Sequence, residues 1–461
     1  MRHNEQKNTL ATYFIRPKKG ASACVALLLA GSLAQADAFR IPYQGAAAAG
    51  QGEAFAAQAD DASALYYNPA GLARLSGVHV SAGMSFVGGG TDFTSPAGQT
   101  YHSDYGGDFA FPAPSNYYLV GNMGGLDVDA LKPLTVGIGL DSPYGLITRW
   151  NGDTPFSSLV TRARLPMLDI KPTMAYAFND MLSLGFGLDI YTFAGFIGAG
   201  EYELRNTVPG LGSTELNGHG TSVGYNASLL FTPLRNGKGK PLLNLGFVYR
   251  SGGQLDLRGD YQANGKTLAK ARSALTLPDI FTFAAAGWPV RDRYHEWKLE
   301  YDMEYVDWSA AQNLNINLSN GQHFSIPQHW HTVYTASVGT EFKWLDPGFL
   351  PNWDIGLRAG FQHANSPVPD DTLNPQLPDS NYNAVALGLG FNCRDKGRLY
   401  GLIECGNDDK KPFTAKSLGL DFAFQALMYD PRRIAGNIQP SVDGHYKTTI
   451  FVGSVNFNLS Y

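Results

Sequence analysis

The chain reads as an all-β protein: a transmembrane antiparallel β-barrel of about 14 strands, preceded by a small N-terminal hatch. Three observations predict this. Segments that alternate apolar with polar or small residues recur from Val78 to the last residue. The chain opens on an export leader, yet nothing after that leader resembles a helical membrane span. A compact stretch rich in Gly and Ala, Phe39 to Leu75, lies between leader and first strand. The organisation expected is a signal peptide over residues 1–36, a hatch over 37–76 and a barrel over 77–461.

Arg16, Lys18 and Lys19 precede an apolar run from Ala21 to Ala34, too short to anchor a protein permanently in a bilayer. Ala34-Gln35-Ala36 is a cleavage pattern for a signal peptidase, and Ala36-Asp37-Ala38 is an equally legal one. Cys24 is followed, not preceded, by the apolar run, so lipoprotein processing does not fit. The whole chain carries a formal charge of -5, and the leader holds five Lys/Arg against one Glu, which leaves the mature chain near -9. That balance argues against nucleic acid as a partner. Gly at 53, Phe at 26 and Tyr at 24 residues give the Gly and aromatic enrichment of a barrel, in which every second strand residue faces lipid.

The hatch segment is crowded with small residues from Gly45 to Ala64 and closes on Tyr66 to Leu75. On its own, Asn68-Pro69-Ala70-Gly71 is a turn signature. Strands follow. Alternation is clear at Val78/Val80/Ala82/Met84/Phe86, Leu134/Val136/Ile138/Leu140 and Leu182/Leu184/Phe186/Leu188/Ile190. It returns at Trp297 to Tyr305, Trp353 to Phe361 and Leu418 to Phe424. The last strand sets Phe451, Val455, Phe457, Leu459 and Tyr461 on one face, and the chain ends on that aromatic, as barrels read by an outer-membrane assembly machinery do. Behind Trp297, Leu299, Tyr301, Met303 and Tyr305 stand Lys298, Glu300, Asp302 and Glu304, a charged row expected to face a wet lumen. Asp141, Asp189, Glu341, Asp354, Arg358 and Asp421 fall on the same kind of face.

With the first strand rising from the periplasm, the long connections, roughly residues 87–114, 144–165, 197–220, 256–274, 309–331, 363–382 and 429–447, are extracellular. Asn179-Asp180, Arg235 to Lys240 and Asp346-Pro347-Gly348 are tight turns on the other side. The connection from about Asn392 to Ala415 is long for that side and holds Cys393 and Cys405, the two cysteines outside the leader, which read as a structural disulfide. Thr267 to Ala274 reads as a short loop helix. His323, His329 and His331 share one loop without a ligand geometry and read as surface residues. No cofactor site is apparent. No Ser/His spacing singles out a hydrolase, so the chain reads as a non-enzyme. A lipid hydrolase and a structural or adhesive barrel are the readings from other classes.

Several short stretches, in order along the chain, resemble the FadL/TodX family of outer-membrane transporters for long-chain fatty acids and other hydrophobic compounds. They are Asp60-Asp61-Ala62 with Asn68-Pro69-Ala70, Tyr144-Gly145-Leu146, Tyr249-Arg250-Ser251, Gly259-Asp260-Tyr261, Leu277-Pro278-Asp279, Trp308-Ser309, and Ser366-Pro367-Val368-Pro369 with Pro378-Asp379. The resemblance implies a monomer in the outer membrane of a Gram-negative bacterium, among outer-membrane lipid and lipopolysaccharide. It also implies capture of a hydrophobic ligand and sideways exit through a gap in the wall. Ser142-Pro143-Tyr144-Gly145 in the third strand supplies such a gap, because Pro143 removes a donor and Gly145 weakens the strand, although Pro143 equally suits a strand end at the rim. By the resemblance Asn68, Pro69 and Ala70 lie against this kink as a gate. Phe193, Phe196, Arg250, Asn315 and Arg358 are the candidate ligand-binding residues. Phe193 and Asn315 align with positions that are basic in the fatty-acid transporter, which keeps neutral aromatic or aliphatic hydrocarbons open as cargo beside the acids.

Overall fold

The computed structural model describes residues 37–126, 128–195, 200–394, 397–399, 403–406 and 415–461, so the segment expected to be a leader and Phe196 lie outside it. Among the described residues fourteen strands pair antiparallel in chain order. They are β1 (Val78–Thr94), β2 (Ser115–Asn122), β3 (Leu134–Asp141), β4 (Arg162–Ala177), β5 (Leu182–Phe193), β6 (Ser222–Arg235) and β7 (Pro241–Arg250). The circuit continues with β8 (Asp279–Arg291), β9 (His295–Asp307), β10 (Val333–Leu345), β11 (Trp353–Ala364), β12 (Tyr382–Arg394), β13 (Ser417–Tyr429) and β14 (Gly444–Ser460). β14 pairs back onto β1 from His79↔Ser460 to Thr94↔His445, which closes the barrel. Phe86, Phe186, Phe283, Phe361, Phe424 and Phe451 are exposed on the outer face, as lipid-facing side chains must be. Among the described residues no helix is long and apolar enough to cross a membrane.

Residues 37–76 lie against the inner face of this wall. They form two single-turn helices, α1 (Ala46–Ala49) and α2 (Ala64–Tyr67), and a 3-10 turn over Pro69–Arg74. Many of its amides bond within the segment, such as those of Ala49 to Gly45 O and Asn68 to Ala64 O, both at 2.9 Å, but those of Phe55 to Gln58 take other acceptors. β9 provides them. Asp302 accepts from the amides of Phe55 and Ala56, both at 2.9 Å, and Glu300 from those of Ala57 and Gln58 at 2.6 and 3.1 Å. Lys298 donates to Gln58 Oε1 at 2.6 Å and to the carbonyl of Ala54 at 3.3 Å. The charged row of β9 thus faces inward as expected, but it meets hatch backbone where water was expected, because charge-assisted bonds satisfy the four amides that the hatch's own turns leave open.

The contact is backbone on backbone. A Cβ on Gly360 of β11 would stand 2.0 Å from the carbonyl carbon of Gln51, and one on Gly185 of β5 would stand 2.5 Å from the amide nitrogen of Ala70. Only glycine admits that approach, which explains much of the Gly/Ala bias on both sides.

Beyond the barrel, the long connections carry their own sheet. Its central hairpin, Gly253–Ala263 with Lys266–Leu277, corrects the expected helix at Thr267 to Ala274. Asn264 and Gly265, with φ of 48° and 76°, form the tight turn that reverses the chain. Ala269, Ala271 and Leu275 are then buried while Lys270 and Arg272 are exposed, a period of two. At the opposite end, the Asn179 carboxamide accepts from the amides of Met181 and Leu182 at 2.8 and 2.9 Å, and Cys393 and Cys405 are joined as a disulfide packed beside Trp353 and Leu418.

Gly360→Val is expected to displace the Gln51 segment while leaving the strand ladder closed. Heat-modifiable migration of the barrel should persist, and amide exchange from Gln51 to Ala59 should accelerate, consistent with an overpacking cost of about 1–3 kcal/mol. Unchanged exchange would refute the close backbone approach.

Candidate functional site

The third strand breaks where its sequence has Ser142-Pro143-Tyr144. Pairing of β3 with β2 ends at Tyr117↔Leu140 and with β4 at Asp141↔Asp169; contact with β4 resumes only at Gly145↔Pro166. The freed backbone groups are taken up by the start of the hatch. Ile41 donates its amide to Pro143 O at 2.8 Å, Gly145 donates to Phe39 O at 2.9 Å, and Arg40 bridges Tyr144. Gln44 completes the match, its Nε2 donating to Ser142 O at 2.8 Å while its Oε1 accepts from the Ser142 amide at 3.1 Å. Residues 39–44 therefore act as a substitute strand at the break.

Above the break lies a packed apolar cluster. Phe39 meets Trp308 with ring centroids 4.9 Å apart, Trp308 meets Trp330 at 5.2 Å, and Tyr144 meets Phe39 at 5.8 Å and Tyr191 at 5.6 Å. Leu165, Met167, Ile280, Val306 and Val333 belong to the same buried cluster, and the half-buried Phe193 packs against it. The kink residue Tyr144 is thus part of this cluster.

Below the cluster the contacts are ionic. Arg40 pairs with Asp37 and, at 3.1 Å, with Glu304, and the Trp308 indole donates to Asp37 at 3.2 Å. Beneath, a polar cavity of about 30 Å³ lined by Arg40, Glu53, Tyr66, Arg250, Asp302 and Glu304 has room for about two waters. Arg250 donates to Tyr66 O at 3.0 Å, lies 3.6 Å from Asp189 and has its guanidinium carbon 4.7 Å from the Tyr66 ring centre. Lys171 pairs with Asp169 at 2.5 Å and with Asp189. Arg358 is held by Glu341 at 2.7 Å and Asp421 at 2.5 Å. It borders a second cavity of about 250 Å³ at the short-turn end, lined also by Asp60, Asp61, Lys343 and Asp354.

The remaining expected residues fall elsewhere. Asn68, Pro69 and Ala70 do not meet the kink: Asn68 Nδ2 donates to Ala56 O at 2.7 Å and to Leu229 O at 3.2 Å, and Ala70 donates to Ser228 Oγ at 2.9 Å. They seat the hatch on β5 and β6, where Gly185 leaves space for them. Asn315 is exposed on the loop strand Asn313–Leu318 and accepts from Ser325 at 2.8 Å, because Leu314, Ile316 and Leu318 take the buried face. Phe196 lies outside the described residues. His323 bonds Asn317 at 2.8 Å and His329 approaches Asp371 at 3.6 Å, so these rings turn to separate partners. Sequence reading missed Phe39, Arg40, Gln44 and Glu304; of these, Phe39-Arg40-Ile41 carried a signal, as the first large side chains after the leader.

A family model described as "Outer membrane protein transport protein (OMPP1/FadL/TodX)" matches residues 27–399. The long-chain fatty acid transport protein of Escherichia coli K12 is 24% identical over 390 residues, covering 74% of this chain and 82% of that protein. That of Salmonella typhi is 24% identical over 379 residues, with 74% and 81% covered. Among solved structures, a Pseudomonas aeruginosa FadL homologue superposes with a TM-score of 0.68 at 17% identity, over 92% of this chain and 100% of that one. The Ralstonia pickettii toluene transporter TbuX gives 0.59 at 16% identity, over 90% and 98%. These two likenesses establish the fold.

Glu53, inside the hatch, is expected to make the seating pH-dependent. Burial raises its carboxyl to about 7, against the opposing pull of hydrogen bonds from Tyr67 and Gln425. An acid whose pKa is raised in the seated state holds its proton best there, so seating is firmest below pH 4.5 and weakens as pH climbs through 7, by about 3 kcal/mol. Amide exchange in the hatch, corrected for its intrinsic pH dependence, should be faster at pH 8 than at pH 5, and Glu53→Gln should flatten that slope. A slope that survives in Glu53→Gln assigns the effect to another group.

Proposed function

We infer, from the premise that the chain belongs to the OMPP1/FadL/TodX family of outer-membrane transport proteins, that it moves hydrophobic small molecules inward by passive capture, lodging and sideways release. The chain is an outer-membrane β-barrel of the Gram-negative envelope, and its family transports rather than catalyses. One observation carries the route. The aromatic cluster at the loop end and the break in the ladder share a residue, Tyr144, so an apolar molecule that inserts against Phe39, Trp308 and Trp330 already touches the edge of the gap. Keeping apolar surface out of water throughout avoids a transfer cost of about 25 cal/mol per Å².

In this reading Phe39 to Gln44 form the bolt across the gap, and Arg40 is its handle. A ligand that pushes Phe39 aside pulls on Ile41, whose amide closes onto Pro143. Asn68, Pro69 and Ala70 are the seat that keeps the rest of the hatch in place while the bolt moves. The cargo is a long-chain fatty acid, as named for the Escherichia coli and Salmonella relatives, or a neutral hydrocarbon such as the toluene named for TbuX. A second reading favours neutral cargo, because Arg40, Lys171, Arg250, Lys298, Lys343 and Arg358 each already have a carboxylate within 4 Å. An incoming carboxylate has to displace an internal one.

The deciding measurement is uptake in cells without a transporter of their own, comparing labelled long-chain fatty acid with labelled toluene. Entry of at least one is expected, with toluene ahead if the paired cations decide; entry of neither sinks the proposal. Replacing Pro143 and Gly145 together by Val is expected to lower uptake severalfold with the barrel still heat-modifiable. Unchanged uptake in that variant removes the sideways route.

A further inference from the structure

The outer face of the loop sheet carries four arginines in register. Arg149, on the loop strand Gly145–Trp150, stands across from Arg162 at the head of β4, and Arg162 stands across from Arg205 on the loop strand Tyr202–Val208. Arg164 follows on β4, opposite Glu203. Alternation fixes their direction: Thr148, Trp150, Ala163, Leu165 and Leu204 are buried inward, so the arginines project outward. With strands about 4.8 Å apart, the row of three spans about 10 Å.

Their height is set by the strand below. From Tyr176 upward the outward residues of β4 are Met174, Pro172, Ile170, Leu168 and Pro166, and then come Arg164 and Arg162. Ten residues rising about 3.3 Å each and tilted about 40° climb roughly 25 Å, the height of the apolar band of an outer-membrane barrel. The arginines therefore stand at the level of the outer-leaflet head groups.

Their charge is only partly spent. Glu203 lies 3.6 Å from Arg162 and 2.5 Å from Arg205, and Glu215 lies 3.0 Å from Arg205. Among the described residues no carboxylate comes within ion-pair distance of Arg149 or Arg164, and Arg164 Nε is buried without a hydrogen-bond partner. Guanidinium groups left open beside lipid match an anion with several acceptor oxygens, and phosphate is the one that takes them bidentately.

We propose that Arg149, Arg162, Arg164 and Arg205 bind the phosphate-bearing head group of an outer-leaflet glycolipid, the lipid A part of lipopolysaccharide. Its acyl chains then lie along Leu168, Ile170 and Met174, beside the kinked third strand. The site stands independently of any sideways route, since it needs only the outward row and the apolar face beneath it.

Native mass spectrometry of the mature protein in detergent tests this with three probes: bisphosphorylated lipid A, the same lipid with its phosphates removed, and inorganic phosphate. Lipid A should be retained, and removal of its phosphates should weaken retention. Arg149→Gln with Arg164→Gln should cut lipid A binding by about 30-fold, at about 1 kcal/mol per arginine near the membrane surface. Neither residue is ion-paired, so the double change orphans no carboxylate, and heat-modifiable migration verifies the barrel. Arg258→Gln with Arg272→Gln, an exposed pair elsewhere on the loop sheet, should leave binding unchanged. Equal retention by wild type and the Arg149/Arg164 variant, or of the dephosphorylated lipid, overturns the proposal. Inorganic phosphate held as tightly as lipid A makes this a free-anion site and also overturns it.

Discussion

Much of the interior follows from one requirement: the backbone amides of a buried segment built from short turns must all be satisfied away from water. Helices and sheets solve that problem with their own carbonyls, and the short turns of residues 37–76 do so for many amides but not for those of Phe55 to Gln58. The wall therefore supplies acceptors, and carboxylates are the strongest available. Glu300 and Asp302 each take two consecutive amides, which fixes the hatch against β9 with the spacing of a strand. The small side chains of the hatch are the geometric counterpart, since a carboxylate reaches an amide only where no bulky Cβ keeps the backbones apart.

The same requirement divides the interior into two chemistries. The short-turn half is a lattice of carboxylates and cations that holds the hatch, and such buried pairs contribute more to a unique arrangement than to net stability. The loop half is aromatic and aliphatic. Arg40 marks the boundary, with its neighbour Phe39 in the apolar cluster and its own guanidinium in the lattice through Glu304. A single peptide unit thus couples the apolar compartment to the ionic one, and its flanking residues cover the broken third strand.

Strands and their facing were legible in the sequence because a period of two is a local property, and a lipid-facing wall enforces it along every crossing. The inward row on β9 was legible for the same reason, while its partners were not, because nothing local records that Asp302 meets residues nearly 250 positions earlier. Thr267 to Ala274 misled through composition: Ala, Lys and Leu favour helices, yet Asn264-Gly265 dictated a hairpin and tertiary pairing overrode the preference. Asn315 was placed by alignment, which fixes a position along a strand but not the face it presents. The gate residues carry the same lesson. Similarity located Asn68 to Ala70 in the hatch, but the short loop that touches the kink is the one that starts it.

The seam between β1 and β14 gives the hatch a tether as well as a place. Phe39 sits at the loop end, with Trp308, whereas Gly77 lies beside Tyr461 at the short-turn end, so the segment runs lengthwise through the tube that the seam closes. Because the hatch continues directly into the first strand of that seam, it is tethered at the short-turn end, and its loop-end residues can shift while the segment stays joined to the wall that encloses it.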